Sequence, residues 1–142
     1  MRILTAVILS LLATSVWSQG FEETLRLAEK GDASAQYSLG VMYHDGDGVP
    51  ANSSAAVKWY RKAAEQGDTT AQFWLGLMYD GGDGIIQNYR RAHMWWNIAR
   101  SQGDGRVRQG IERVEALMTP DDISAAQKMA TLCIESNYTV CD

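Results

Sequence analysis

Apolar residues recur at helical spacing in the central part of this chain. The apolar positions of the first such stretch are Ala35, Leu39, Met42 and Tyr43. They are spaced i, i+4, i+7 and i+8, which places them on one face of an α-helix. The stretch ends in alternating aspartate and glycine at residues 45–48, and a second helical pattern follows from about Ser54 to Gln66. The pattern predicts two helices joined by a glycine loop.

The whole pattern returns 36 residues later. Gly31-Asp32 matches Gly67-Asp68 and again Gly103-Asp104. Further matches in this register are Ala35-Gln36 with Ala71-Gln72, Leu39-Gly40 with Leu75-Gly76, Met42-Tyr43 with Met78-Tyr79, and Trp59 with Trp95. One helix pair cannot bury both of its faces, so such units must stack. The sequence predicts an all-α fold, an α-solenoid of helix-turn-helix repeats at about 32–67 and 68–103.

Small and large residues alternate in a way that predicts how the helices pack. Asp32 and Asp68 are placed to cap the first helix of each unit. Gly40 and Gly76 leave room for a Trp or Tyr side chain from the partner helix. The predicted inner face of the second helix consists of Ala56, Trp59, Tyr60, Ala63 and Ala64.

The two ends of the array have different patterns. Residues 21–30 resemble the last third of a unit and predict an N-terminal helix. Residues 105–142 predict C-terminal capping helices: one over 106–118, with Val107, Ile111 and Val114 inward, and one from Pro120 to about Asn137. Thr119 before Pro120 and the acids after it form a strong helix start.

The first eighteen residues have the order of a secretory signal peptide. Arg2 precedes an uncharged, mostly apolar run over 3–16, and Ser18 offers a small residue for cleavage. The run is shorter than the ~20 residues that span a bilayer, although an uncleaved anchor is the alternative. Cleavage after Ser18 leaves a single domain over 19–142 and predicts a periplasmic or secreted protein.

The two cysteines lie close together near the C-terminus. In an oxidising compartment, Cys133 and Cys141 are expected to form a disulfide. Reactive thiol chemistry is the alternative, but there is no C-x-x-C pair and no histidine nearby in sequence. The chain has 13 Lys and Arg against 17 Asp and Glu, a formal charge of −4, without a basic cluster. Nucleic acid is therefore an unexpected partner.

Comparison of the two units separates packing positions from positions free to bind a partner. On the first helices the positions that differ are Ser34/Thr70, Ser38/Trp74, Val41/Leu77 and His44/Asp80. They share one helical stripe, from which we select Ser38, Val41, Trp74, Leu77 and Asp80 as a candidate protein-binding site. An exposed Trp74 would be an interface anchor. The alternative is that Trp74 packs against the neighbouring repeat.

Other residue types that could carry chemistry fit their roles poorly. The loop at 45–48 resembles a calcium loop, but Val49 and Ala56 stand where oxygen ligands are needed, so no metal is expected. His44 and His93 lie in different repeats, and His93 precedes two tryptophans on a packing helix. No S-x-x-K, G-x-S-x-G, H-E-x-x-H or P-loop pattern occurs. We expect no cofactor and no enzymatic activity.

The motif A-Q-Y-x-L-G-x-M-Y-x-x-G-x-G-V-P, followed by A-x-x-W-Y-x-x-A-A-x-x-G-D, runs from Ala35 to Asp68 and resembles the Sel1-like repeat. This repeat is a relative of the tetratricopeptide repeat. The second unit and the tail through Cys141 resemble small bacterial secreted members. The resemblance implies a superhelical scaffold or adaptor that binds proteins. The chain departs from the pattern at Asn52 and Asn88, where Asp is usual, and at Ile86, which replaces proline; these changes are expected to loosen loop details only.

The leading hypothesis is thus an exported scaffold that binds a protein or peptide partner through its repeat surface. One alternative is an enzyme, since some secreted relatives with a cysteine pair in every repeat are linked to binding or hydrolysing β-lactams. A cell-envelope regulator is another. The expected oligomeric state is a monomer or a weak homodimer.

Overall fold

A computed structural model describes residues 19–141, and all regular secondary structure in this range is helical, without strands. The predicted signal peptide, residues 1–18, lies outside the described residues. The elements are α1 (19–29), α2 (Ala33–Asp45), α3 (Ser53–Ala64), α4 (Thr69–Gly81), α5 (Tyr89–Ser101), a 3-10 turn (Gly105–Val107), α6 (Arg108–Glu115) and α7 (Pro120–Glu135). Each helix packs on the next from α2 to α6, and α7 folds back onto α5. The predicted all-α solenoid is confirmed.

The first helix of each unit begins and ends as predicted. The Asp32 and Asp68 carboxylates accept hydrogen bonds from the backbone N–H groups of Ala35 and Ala71, at 2.7 and 2.8 Å. Each helix ends at a glycine of left-handed conformation, with φ of 73° at Gly46 and 70° at Gly82. A side chain would strain the backbone at these angles, so the glycine loop sets where each first helix ends.

The second helices are capped by the residues at which the chain departs from the repeat pattern. The Asn52 and Asn88 side chains accept hydrogen bonds from the N–H groups of Ala55 and Arg91, both at 3.0 Å. The two asparagines have nearly identical backbone angles, so asparagine here supplies the usual cap. The helix predicted over 54–66 runs from Ser53 to Ala64, because the chain turns at Gln66 toward the next unit.

The core forms where a glycine of the first helix meets an aromatic ring of the second. A Cβ on Gly40 would lie 2.5 Å from Tyr60 Cδ1, and one on Gly76 would lie 2.5 Å from Trp96 Cδ1. Both rings are buried, and each residue is only 1% exposed. The predicted pairing of glycine with an aromatic ring is confirmed, and it lets the two helices of a unit approach closely.

One buried glutamine joins each unit to the helix before it. Gln36 Nε2 donates to the Ala28 carbonyl, and Gln72 Nε2 donates to the Ala64 carbonyl, both at 3.1 Å. Their Oε1 atoms accept from Gln66 and Gln102, each at 2.7 Å. These four glutamines, the glutamine ladder, repeat at 36 residues. They satisfy polar groups that would be costly to bury without partners.

The C-terminal cap contains more breaks than predicted. The helix expected over 106–118 is a 3-10 turn followed by α6, which ends at Glu115 because Thr119, before Pro120, is extended. Val107, Ile111 and Val114 are buried, as predicted. Thr119 caps α7 by accepting from the N–H of Asp122 at 3.1 Å.

The tail returns to α7 through a sharp turn. Helix α7 ends at Glu135, two residues before the predicted end, because Asn137 and Tyr138 adopt left-handed angles, with φ of 53° and 65°. The turn brings Cys141 back to Cys133, with 4.5 Å between their Cα atoms, and the predicted disulfide is formed. Closure of this loop stabilises the fold by about 2.5 kcal/mol.

Candidate functional site

The candidate protein-binding residues lie on α2 and α4, the first helices of the two units. Ser38 is exposed, whereas Val41, Trp74 and Leu77 are partly buried. The three apolar side chains pack against the main core and still present part of their surface to solvent. These four residues lie on exposed or partly exposed positions of α2 and α4, and we call the surface that they mark the first-helix surface.

Trp74 packs against the preceding unit, as one of the two alternatives from the sequence expected, and it is still partly exposed. Its ring stacks on Tyr60 of the preceding unit, with centroids 6.1 Å apart and planes 14° from parallel. It also contacts the His44 ring, at 5.5 Å. Because Trp74 remains partly exposed, its packing against the preceding unit holds the ring in place while one side stays accessible.

Sequence comparison missed two aromatic residues of this surface. Phe73 meets Trp74 edge-on at 5.9 Å, and Tyr37 lies 5.9 Å from the Tyr60 ring. Tyr37 and Phe73 occupy the same position in their units, so they form one more pair that differs between the repeats. The comparison of the two units therefore contains the signal that identifies them. Together Tyr37, Tyr60, Trp74 and Phe73 form an aromatic row that crosses the boundary between the units.

The aromatic row has little scope for acid–base chemistry. Burial raises the pKa of the Tyr60 hydroxyl, and negative charge on Tyr37 and Asp45 would raise it further. Tyr60 therefore stays neutral and supports the Trp74 ring from below. Large, rigid rings of this kind lose little entropy on binding, which suits them to recognition of a protein surface.

Arg106 closes the row at the side of the C-terminal cap. Its guanidinium lies 4.6 Å from the Phe73 centroid. Arg106 also binds Asp104, whose carboxylate caps the 3-10 turn. The hydrogen bond from Arg106 keeps the pKa of Asp104 below its usual value. The contact extends the first-helix surface onto the cap.

Asp80, the fifth candidate, lies apart from the aromatic row. Its carboxylate pairs with Arg113 of α6, and its backbone carbonyl accepts from Gln87 Nε2 at 2.7 Å. The second carboxylate oxygen, Oδ1, is buried without a hydrogen-bond partner. Asp80 therefore joins α4 to the cap, and nothing in its geometry extends the aromatic row.

The cap continues the register of the repeats. The buried positions Val107, Ile111 and Val114 of the cap lie 36 residues after the buried positions Ala71, Leu75 and Met78 of α4. Arg113 consequently stands where Leu77 stands in the preceding unit. The short α6 thus acts as the first helix of a third unit, a role that the missing glycine loop obscured in the sequence.

Three arginines of α5, Arg90, Arg91 and Arg100, all have side-chain contacts. Arg90 binds Asp122 at the start of α7, and this hydrogen bond lowers the pKa of Asp122. Arg91 lies 5.9 Å from the Tyr79 centroid, and Arg100 donates to Asn97 Oδ1 at 2.5 Å. Arg90 and Arg91 thus contact helices that neighbour α5, whereas Arg100 contacts a residue of α5 itself.

His93 lies in a buried polar cluster between α5 and α6. Its side chain is fully buried, its Nε2 is 2.7 Å from Glu115 Oε1, and its Nδ1 is 2.6 Å from Asn97 Nδ2. With Nε2 protonated, His93 donates to the carboxylate and accepts from the amide, so both ring nitrogens are satisfied. The expected packing role of His93 fits this placement.

Residues 19–141 contain neither a metal-binding cluster nor a membrane-spanning helix. In that range no three His, Cys, Asp or Glu side chains are grouped closely enough to hold a metal ion. None of the helices in the same range combines the length and apolar character needed to cross a bilayer.

Comparisons with known proteins agree with this architecture. The family model described as the Sel1 repeat matches residues 33–68 and 69–104. A protective antigen of uropathogenic Escherichia coli, c5321, which displays an SLR fold, is 28% identical with a TM-score of 0.79, over 85% of this chain and 27% of that protein. A Sel1 repeat protein from Oxalobacter formigenes is 35% identical with a TM-score of 0.63, over 70% and 45% of the two chains. The chain thus spans less than half of either structure. No curated protein matches.

Proposed function

The chain belongs to the Sel1 repeat family, whose helical repeats suggest scaffolds for protein interaction, and from this premise we propose that it is an exported scaffold that binds a protein or peptide partner through its first-helix surface. The observation that carries the proposal is the aromatic row across the two units, with Trp74 stacked on Tyr60 and still partly exposed. Ser38, Val41 and Leu77 are the other residues of α2 and α4 that we assign to this surface. Asp80 contributes indirectly, by fixing α6 beside the row.

The first test of this surface is the loss of Trp74. We expect Trp74→Ala to weaken partner binding by about 2 kcal/mol, or roughly 30-fold, because a held aromatic ring at the centre of an interface contributes most of its energy. Partners are captured from periplasm or medium with the mature protein, and the affinity of each purified partner is measured by titration calorimetry.

A matched variant separates the binding surface from the fold. Trp59→Ala removes a partly buried tryptophan from a second helix, which packs with the small N-terminal cluster away from the aromatic row. It should leave affinity unchanged. Equal affinity of wild type and Trp74→Ala for every captured partner would refute the proposed surface.

Export is supported by two features that are independent of the repeats. Residues 1–18 have the order of a signal peptide. Cys133 and Cys141 form a disulfide, the state favoured in oxidising compartments. We expect the full chain, expressed in a Gram-negative host, to be recovered from periplasm or medium, starting at Gln19 and without free thiols. Mass spectrometry of the fractions measures both, and a cytoplasmic protein that retains Met1 would contradict export.

Catalysis is not part of the proposal. The β-lactam-related alternative depends on a cysteine pair in each repeat, and both cysteines of this chain lie after the repeats, Cys133 in α7 and Cys141 in the tail. A role as cell-envelope regulator differs from the proposed scaffold only in the identity of the bound partner.

A further inference from the structure

Helices α3 and α5 are the second helices of the two units, yet their outer sides differ. Met94 and Ile98 of α5 are fully buried, whereas Lys58 and Lys62, at the same positions of α3, are exposed. Helix α7 packs on α5 through its buried side, which includes Ala126 and Ala130. The fold thus already lays one helix across a second helix of the array, and it leaves the matching side of α3 in solvent.

A groove runs along this side of α3. It has a volume of about 500 Å³ and lies between α3 and the loop 82–88. Val57, which is 5% exposed, and Ile85 line it with apolar surface. Ile86, next in the loop, is 87% exposed, the largest value among the exposed large apolar side chains of the described residues. An aliphatic side chain held so far into solvent gains most from being covered.

The charge around the groove has the opposite sign to that of the chain. Lys58, Arg61 and Lys62 line it together with a single acid, Glu65, while the whole chain carries −4. In the second unit the residues matching the two lysines are methionine and isoleucine, both fully buried on the helix that α7 packs against. A helix that covers α3 therefore has to bring carboxylates where α7 brings apolar groups.

We propose that this groove binds an acidic amphipathic helix of a partner protein, laid on α3 as α7 lies on α5. Apolar residues at i, i+3, i+4 and i+7 of that helix contact Val57, Ile85 and Ile86, and flanking Asp or Glu side chains pair with Lys58 and Lys62. The groove is on the second helices, so this inference goes beyond the proposed function, which uses the first-helix surface.

The experiment uses a displayed library of helical peptides of about 18 residues, five turns, with leucine fixed on one face and all other positions randomised. The library is selected on the mature, oxidised protein. We expect retained peptides to contain at least about twice as many Asp and Glu as Lys and Arg. A labelled copy of the dominant peptide is then titrated by fluorescence anisotropy.

The variants separate charge, apolar contact and the other surface. Lys58→Glu with Lys62→Glu should weaken the dominant peptide by about tenfold or more, and Ile86→Ser should weaken it severalfold. Lys128→Glu, a charge reversal at an exposed site of α7, and Trp74→Ala should each leave affinity unchanged. Far-UV circular dichroism verifies that the exposed substitutions keep the fold.

Several results would overturn the inference. These are a library without retained peptides, retained peptides without acidic enrichment, and an unchanged affinity in the double lysine variant. Vesicles of phosphatidylglycerol that bind in a Lys58- and Lys62-dependent manner, when acidic peptides do not, would assign the groove to a membrane surface instead. Loss of peptide binding in Trp74→Ala but not in the lysine variants would also refute it, while it would support the proposed function.

Discussion

Replacing Gly76 with alanine should destabilise the protein by about 3 kcal/mol. The new methyl group would lie 2.5 Å from Trp96 Cδ1. The ring cannot easily yield, because it is 1% exposed and its Nε1 donates to the Phe73 carbonyl at 3.1 Å. The helices α4 and α5 must separate or the hydrogen bond must break. Urea denaturation followed by circular dichroism measures the loss in the free energy of unfolding.

Gly81 provides the matched control in the same helix. A Cβ at Gly81 meets nothing within 4 Å, so alanine there removes only backbone freedom. We expect Gly81→Ala to leave stability unchanged or to raise it by up to about 1 kcal/mol. If the two alanine variants unfolded at the same urea concentration, the close approach of α4 and α5 at Gly76 would be wrong.

The second large effect is expected at His93. His93→Ala opens a cavity in a fully buried position and removes the partner of both Glu115 and Asn97. Each contribution costs roughly 1–3 kcal/mol, so we expect a loss of about 3 kcal/mol in the free energy of unfolding. Thermal and urea denaturation of the purified variant measure it.

His44→Ala is the control that separates the loss of the His93 cluster from the loss of any histidine side chain. His44 has a side chain that is 31% exposed and pairs with Asp45 beside it in sequence. His44→Ala should cost less than about 1 kcal/mol, as exposed pairs usually contribute little. Comparable losses in the two variants would show that the His93 cluster has no special part in holding α6 to α5.

The sequence predicted local features of the fold well, because each depends on residues close in the chain. The caps at Asp32 and Thr119 act on backbone groups within three residues, and the glycine loops end helices through their own backbone angles. The 36-residue repeat then predicted that an aromatic ring packs on Gly40 and Gly76, since a glycine that recurs in two units indicates a structural role, and the structure identifies the rings as Tyr60 and Trp96.

What the sequence did not predict depends on contacts between helices distant in the chain. The partial burial of Trp74 follows from Tyr60 beneath it, fourteen positions earlier on another helix. The pairing of Asp80 with Arg113 depends on where α6 lies. The sequence does contain the repeat register of α6, since its buried positions lie 36 residues after those of α4. The missing glycine loop concealed this register. Which surface binds a partner is a property of the partner as well, so the candidate site stays a prediction.

The glutamine ladder has a consequence for how such molecules grow. On the preceding helix it contacts only main-chain carbonyls, at Ala28 and Ala64, and its remaining partner, Gln66 or Gln102, belongs to the same unit. Each repeat unit therefore carries the side chains that bond it to the preceding helix, and these bonds depend little on the side chains of that helix. Duplication of a 36-residue segment copies both glutamines of a unit along with its helices. The number of repeats can then change in evolution without new contacts having to arise between units. This agrees with the much longer c5321 protein, of which this chain matches 27%.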